Sequence, residues 1–384
     1  MNLIKSLLAS TALLLAVPHI AQADILVGFV TGLSGPVSSI GIPNAKGIAA
    51  GQAYVGEIGG EKVRVIQLDD GSDPTSSARN ARKLVEQEKV DVLIGTSGAP
   101  QTLAMATAAI EMKIPMIAVS PIAPVPPGEG GPWVVQTPQP TPLLLQGIVD
   151  NMKAKGLKSV AFIGFSDALG DLFYDSLVQA AKSADIKVIA NERYARSDSS
   201  VTAQVLRAIA ARPDAIMLGG TGTPGALPVI ALSERGYKGP LYGNHGMISA
   251  DFLRLAGKAA NGIICPTGPV TAAEQLPASN PIQKVALDFR GLREGQRRGA
   301  DGFILVLFLR RLAGVRRCRQ ACDGNRRQAR SPEFRTALRQ ALFTTKEVVG
   351  TQGVYTYTPA DRHGVDDRSR ILVQIEDGKY KLLP

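Results

Sequence analysis

The stretch Ile25-Leu26-Val27-Gly28-Phe29-Val30 decides the fold. It is a continuous apolar run rich in β-branched residues. Such a run, bounded by turn residues, predicts a strand buried on both faces. Leu33-Ser34-Gly35-Pro36 follows as a loop, and residues 43–54 have helical spacing with Pro43 in the first turn. Outward from there the pattern repeats. Residues 63–68 form the next strand and end at Asp69-Asp70. Asp73-Pro74 then opens a helix that places Ala78, Ala81, Leu84 and Val85 on one face. A strand over 90–94, a helix over 101–112 and a strand over 116–119 complete the first run. After the Pro-rich stretch 121–142, helices over 143–152, 169–184, 201–211 and 226–235 alternate with strands over 160–163, 186–190, 215–218 and 241–243. Strands alternating with helices imply parallel sheets joined by right-handed crossovers. Two such runs separated by prolines imply two α/β lobes with a ligand-sized cleft between them.

Charge excludes one class of function. The formal net charge is +10, yet residues 290–330 hold twelve Arg and no Lys against Glu294, Asp301 and Asp323. Apart from that segment and Lys5, basic and acidic residues balance. A neutral body has no electrostatic footprint for nucleic acid. Residues 1–23 read as an export signal: Lys5, an apolar stretch over 7–17, then Ala21-Gln22-Ala23 as a small-x-small cleavage site. The exported chain is expected to begin at Asp24, in the periplasm. The body has no apolar run near the ~20 residues of a membrane span. Cys265, Cys318 and Cys322 form no disulfide framework, and no His or further Cys stands close enough to the latter two to complete a zinc set.

Three motifs invite chemistry. Gly220-Thr221-Gly222-Thr223-Pro224-Gly225 matches a dinucleotide fingerprint, but no acid ends the following strand to hold a ribose, so a Gly-rich turn near a cleft is the better reading. Gly95-Thr96-Ser97-Gly98-Ala99 falls one residue short of a nucleophile elbow, and only His245 and His363 could serve as its base in the exported chain. As a strand–turn–helix junction it instead suits a carboxylate, held by backbone N–H groups and the helix dipole. Asp69, Asp70 and Asp73 resemble an oxygen-ligand cluster, but without the spacing of a known cation loop, and Asp73 before Pro74 fits a helix cap.

Several segments taken in order resemble one family. They are Ile25–Phe29 with Leu33-Ser34-Gly35-Pro36, Asp69-Asp70-Gly71-Ser72-Asp73-Pro74, Val92-Leu93-Ile94-Gly95, Ile114-Pro115-Met116-Ile117, and Gly353-Val354-Tyr355 followed by Thr358-Pro359, Asp361 and Gly364-Val365. The set is similar to the branched-chain amino acid type of substrate-binding proteins of ABC transporters, with the type I periplasmic binding fold. The resemblance covers residues 24–288 and 332–384. It implies two lobes, 24–140 with 270–349 and 141–269 with 350–384, joined by three crossings near 138–142, 265–269 and Gly350. It implies no enzyme activity and no cofactor or metal. The expected partners are a small carboxylate ligand and a membrane permease, and the protein acts as a monomer.

Carried over residue by residue, the family's ligand positions fall on Ile40, on Ser97, Ala99 and Thr102 of the first carboxylate loop, on Ser120 and Ile122 of the second, and on Leu169, Thr221 and His245 across the cleft. The usual Ser of the first loop is Ala99 here, and Pro124 replaces a Thr of the second. The acid that pairs with an amino acid's ammonium is replaced by His245. A buried ammonium without a counter-charge costs several kcal/mol, roughly, and a His supplies none. The expected ligand is therefore an organic or aromatic acid rather than an amino acid. Two other functions share these residues: a secreted hydrolase using Ser97 or His245, and a ligand sensor of the same fold.

Residues 290–330 break the resemblance, with Arg-Arg pairs and the abrupt apolar run Phe303–Leu309 where the family has an ordinary helix of the first lobe. Two compensating frame changes in the coding sequence would produce this. Translating the other frames across the segment is expected to restore a helix of mixed charge; if neither frame does so, the basic stretch is genuine.

Overall fold

The computed structural model describes residues 24–55, 57–58, 61–291, 332–344 and 346–384. The export signal and nearly all of the Arg-rich segment lie outside the described residues. Two sheets are present. The first has six strands in the order β2-β3-β1-β4-β5-β6, where β1 is Ile25–Thr31, β2 Glu57–Ile58, β3 Glu61–Asp69, β4 Val92–Gly95, β5 Met116–Ala118 and β6 Val134–Gln136. All pair in parallel except β2, which folds back on β3. Every residue of β1 is buried, as its unbroken apolar run requires.

The second sheet has seven strands, in the order β15-β14-β11-β10-β9-β7-β8. Here β7 is Ser159–Phe165, β8 Lys187–Tyr194, β9 Ala215–Gly219, β10 Leu241–Tyr242, β11 Ile264–Thr267, β14 Ile371–Glu376 and β15 Lys379–Leu382. The strands from β7 to β11 pair in parallel, and β14 and β15 add an antiparallel edge. A short hairpin of β12 (Val348–Val349) and β13 (Val354–Tyr355) stands apart from both sheets.

The helices that matter for the site start just after these strands. They are α1 (Ser38–Val55), α2 (Pro74–Glu86), α3 (Ala99–Glu111), α4 (Thr141–Ala154), α5 (Ala168–Ser183), α6 (Thr202–Ala210), α7 (Ala226–Glu234) and α8 (Ala250–Ala256), followed by α9 (Gln283–Gly291) and α10 (Pro332–Phe343). Asp73 caps α2 as expected, accepting from the Ser76 N–H at 2.7 Å, and Ala81, Leu84 and Val85 are buried. Two expectations move. Helix α1 begins at Ser38, so Pro43 lies inside it rather than in its first turn. Pro43 has no N–H for the Ser39 carbonyl, and helical phase alone cannot show that a helix starts a turn before its proline. Strand β6 emerges within the Pro-rich bridge, where no period-2 pattern announces it.

The third crossing also moves. Tyr355 and Tyr357 are buried in the first lobe's core with Phe29, Ile94 and Val135, and their hydroxyls donate to the Thr137 and Gln136 carbonyls. The chain joins the second sheet only at Ile371. The passage therefore falls between residues 357 and 371, later than the expected Gly350. An aromatic pair that the expected boundary assigns to the second lobe packs in the first lobe's core.

Within the second lobe, the Phe162 ring occupies space that Gly164 and Gly219 leave open on neighbouring strands; a methyl group at either glycine would collide with it. Tyr174 packs edge-on at 5.5 Å and the Arg193 guanidinium lies 5.1 Å above the ring. Phe162→Ala is expected to destabilise the protein by about 3–5 kcal/mol, read as a lower urea midpoint. A loss below 1 kcal/mol, roughly, would mean the site collapses around the missing ring.

Candidate functional site

In a parallel sheet, the carboxyl ends of the strands and the amino ends of the helices that follow them lie on one edge. The two sheets turn these edges toward each other, and the lobes meet across the gap: the Thr223 N–H donates to Ser39 Oγ at 3.2 Å. Beside that contact is a cavity of about 150 Å³. Space of this size accepts a benzene-sized molecule. Gly222, at φ +60°, brings the second lobe's backbone up against Ser39 and Ile40, where a side chain would not fit.

Six of the nine expected residues line this cavity: Ile40, Ser97, Ser120, Leu169, Thr221 and His245. Ala99, Thr102 and Ile122 do not. Ala99 is buried in the first turn of α3. The Thr102 hydroxyl is spent inside its own turn, 3.0 Å from both the N–H and the carbonyl of Thr96. The Ile122 N–H donates to Gln136 Oε1 at 3.0 Å. The expected carboxylate cradle is thus narrower than the Gly95–Thr102 turn: only Ser97 of that turn faces the cavity.

Ser97 Oγ lies 2.5 Å from Thr31 Oγ1, and Asn44 Nδ2 donates to it at 3.4 Å. Behind it, Thr96 Oγ1 donates to Asp70 Oδ2 at 2.5 Å and accepts from the Ser97 N–H at 2.6 Å. Asp70 also accepts from Ser77 Oγ and the Ser72 N–H. Asp69 accepts from the Leu33 and Gly71 N–H groups and from Ser34 Oγ. The carboxylates that suggest a cation cluster from sequence instead bind loops together, and no group of three His, Cys, Asp or Glu able to hold a metal occurs among the described residues.

Across the cleft, Asn244 fixes the wall. Its Nδ2 donates to the Leu218 and Gly220 carbonyls, and its Oδ1 accepts from the Gly246 N–H. That ties the loop bearing His245 to the loop bearing Thr221. Two atoms of this wall, Thr221 Oγ1 and His245 Nδ1, are buried without a partner among the described residues. Buried polar atoms normally find one, so these are available to an occupant. Enclosure by protein pushes the His245 ring down to about 4, and it is neutral at pH 7. Asp167 and Asp171, the nearest sequence candidates for an acid, are engaged elsewhere: Asp167 caps α5 and pairs with Arg196 at 2.6 Å, and Asp171 pairs with Arg193 at 3.1 Å.

Two features have no signal in the residue order. Among the described residues, the lining contains no Asp, Glu, Lys or Arg. The cavity also meets the amino ends of several helices: Ser39 and Ile40 belong to the first turn of α1, Leu169 to the first turn of α5, and Ser249 caps α8. No serine relay is assembled among the described residues. Ser97 bonds to Thr31 and Asn44, and His245 Nδ1 has no carboxylate to orient the ring.

Residues 24–379 match the periplasmic binding protein family. The Leu/Ile/Val-binding protein BraC3 of Rhizobium johnstonii is 24% identical over 383 residues, 98% of each chain. The structure of Rp1789 from Rhodopseudomonas palustris superposes with a TM-score of 0.87 at 38% identity, covering 94% of this chain and all of that one. A solute-binding protein of an ABC transporter from the same species, solved with benzoate, has a TM-score of 0.73 at 20% identity over 94% of this chain and 95% of its own. This last likeness shows the fold alone.

The depressed His245 pKa has a direct consequence. The ordinary value is 6.5 and the folded value about 4, so between these pH values the unfolded chain binds a proton that the folded chain refuses. Stability is unaffected by this ring above pH 6.5, falls as pH drops toward 4, and levels off below. His245→Gln is expected to flatten that part of the melting-temperature profile while leaving the value at pH 7.5 nearly unchanged. An unaltered slope would place the ring in an environment open to solvent.

Proposed function

Because the chain belongs to the periplasmic binding protein family, we propose that it is the solute-binding component of an ABC importer, exported after cleavage at Ala23, and that its solute is a small organic acid. The charge-free lining at the helix amino ends supports this reading. A helix amino end is equivalent to roughly half a positive charge. An anion placed there gains from that potential and from hydroxyl and amide donors such as Ser97, Ser120 and Asn44. An ammonium meets the same potential with no carboxylate to offset it, because the position that would supply one is His245, whose ring is neutral.

The ligand is therefore a carboxylate without a cationic group, with an apolar body against Ile40 and Leu169. A cavity suited to a ring-sized molecule favours an aromatic or short branched acid. The named relatives include one Leu/Ile/Val-binding protein and one protein solved with benzoate; the uncharged lining here favours the latter chemistry. The relatives are binding proteins, and Ser97 and His245 act as ligand contacts rather than as nucleophile and base.

Calorimetry with benzoate, 4-hydroxybenzoate and leucine tests this. The acids are expected to bind, with leucine at least tenfold weaker, roughly 1.4 kcal/mol. Benzoate affinity should rise as pH falls from 7 toward 5, because an anion beside His245 raises the ring's pKa and binding takes up a proton. His245→Glu should move preference toward leucine. Leucine bound as tightly as any acid by the wild-type protein would refute the reading.

A further inference from the structure

The three passages between the lobes meet at one side chain. Gln139 stands on the first passage and is 3% exposed. Its Nε2 donates to the Ser369 carbonyl of the third passage at 2.9 Å and to the Gln352 carbonyl of the β12–β13 turn at 3.1 Å. Gly268, on the second passage, packs against both amides. Its φ of −78° suits any residue, so conformation does not call for glycine. The constraint is approach: a Cβ there would collide with the side-chain amides of Gln352 and Gln139.

This hub is also a wall of the cavity. Gln139, Gly268 and Gln352 all line it, and Gln352 Oε1 is buried without a partner among the described residues. Gln139 and Gly268 stand on passages between the lobes, and Gln352 sits beside them on the first lobe's β12–β13 turn.

We propose that Gln139 is the positioning residue that holds the lobes at their closed angle by tying the three passages together, and that the amide of Gln352, on the adjoining β12–β13 turn, is a ligand contact. Occupancy of the cavity and lobe angle are then joined through one pair of neighbouring glutamines. The Gln352 part rests on the cavity being the solute site; the Gln139 part does not.

The two roles leave different signatures. A residue that sets the closed fraction changes the apparent affinity for every solute by the same factor, because that fraction multiplies each intrinsic constant alike. A contact residue changes affinities unequally. For Gln139→Met we expect a larger radius of gyration by solution X-ray scattering without solute, and Kd values for benzoate and 4-hydroxybenzoate raised by one common factor of about tenfold. Gly268→Ala, which displaces both amides, should enlarge the radius in the same way and stands in if Gln139→Met does not fold. Gln352→Met keeps the carbonyl that Gln139 uses. It should leave the radius unchanged and weaken 4-hydroxybenzoate more than benzoate, because only the former carries a donor for Oε1. An unchanged radius in both Gln139→Met and Gly268→Ala, or unequal losses for the two acids in Gln139→Met, would overturn the positioning role. Equal losses for Gln352→Met would overturn the contact. If neither acid binds the wild-type protein, the organic-acid reading fails and takes the Gln352 assignment with it, while the radius still judges Gln139.

Discussion

Helix amino ends gathered around a cavity with no charged side chain among the described residues of its wall set the electrostatics of the cleft. The arrangement follows from topology. A parallel sheet must place the start of each helix at the carboxyl edge of its strands, and two such edges face each other across the cleft. Whatever enters is partly desolvated and exposed to several aligned peptide dipoles at once. In most sites a side-chain charge would dominate that potential. Here the lining of hydroxyls, amides and a neutral imidazole leaves the backbone's own field as the leading electrostatic influence.

The acids are not missing from the neighbourhood; they are placed behind the walls. Asp70 grips Thr96, Ser77 and the Ser72 backbone, which steadies the turn that presents Ser97. Asp167 caps α5 and binds Arg196, which fixes the turn bearing Leu169. On the opposite loops Asn244 does the equivalent work with a neutral amide. Among the residues lining the cavity, the buried polar atoms left unpartnered by the described residues are on Thr221, His245 and Gln352. Rigid walls with a few free polar atoms are what selective recognition of a small molecule requires, since buried atoms left unpaired by the wrong ligand penalise it.

Much of this organisation is legible in the order of residues. The unbroken apolar runs of β1 and β4 announce buried parallel strands, and the Pro-rich bridge marks the change of lobe. The capping Asp73 before Pro74 fixes the start of α2 from two residues. At the site, Ile40, Ser97, Ser120, Leu169, Thr221 and His245 are reachable through family resemblance because each sits in or near a segment that follows the carboxyl end of a strand, where alignment is pinned by the strand itself. Ala99, Thr102 and Ile122 also follow strand ends and yet do not line the cavity. Their direction is decided by local bonds, Thr102 to Thr96 and Ile122 to Gln136, that have no signature in residue order.

The sequence alone determines what depends on periodicity and on chemistry at a residue: two α/β lobes, a neutral body, and a His where an ammonium would need an acid. Tertiary structure alone decides what depends on distant segments meeting. Tyr355 and Tyr357 join a core begun some 330 residues earlier at Phe29. Gln139 bonds to residues 213 and 230 positions away. The absence of charge from the cavity is likewise a property of many segments converging. No local pattern encodes such meetings, because the short-range forces that set helices and strands act between near neighbours, whereas a hinge and a binding wall exist only after the chain has returned on itself.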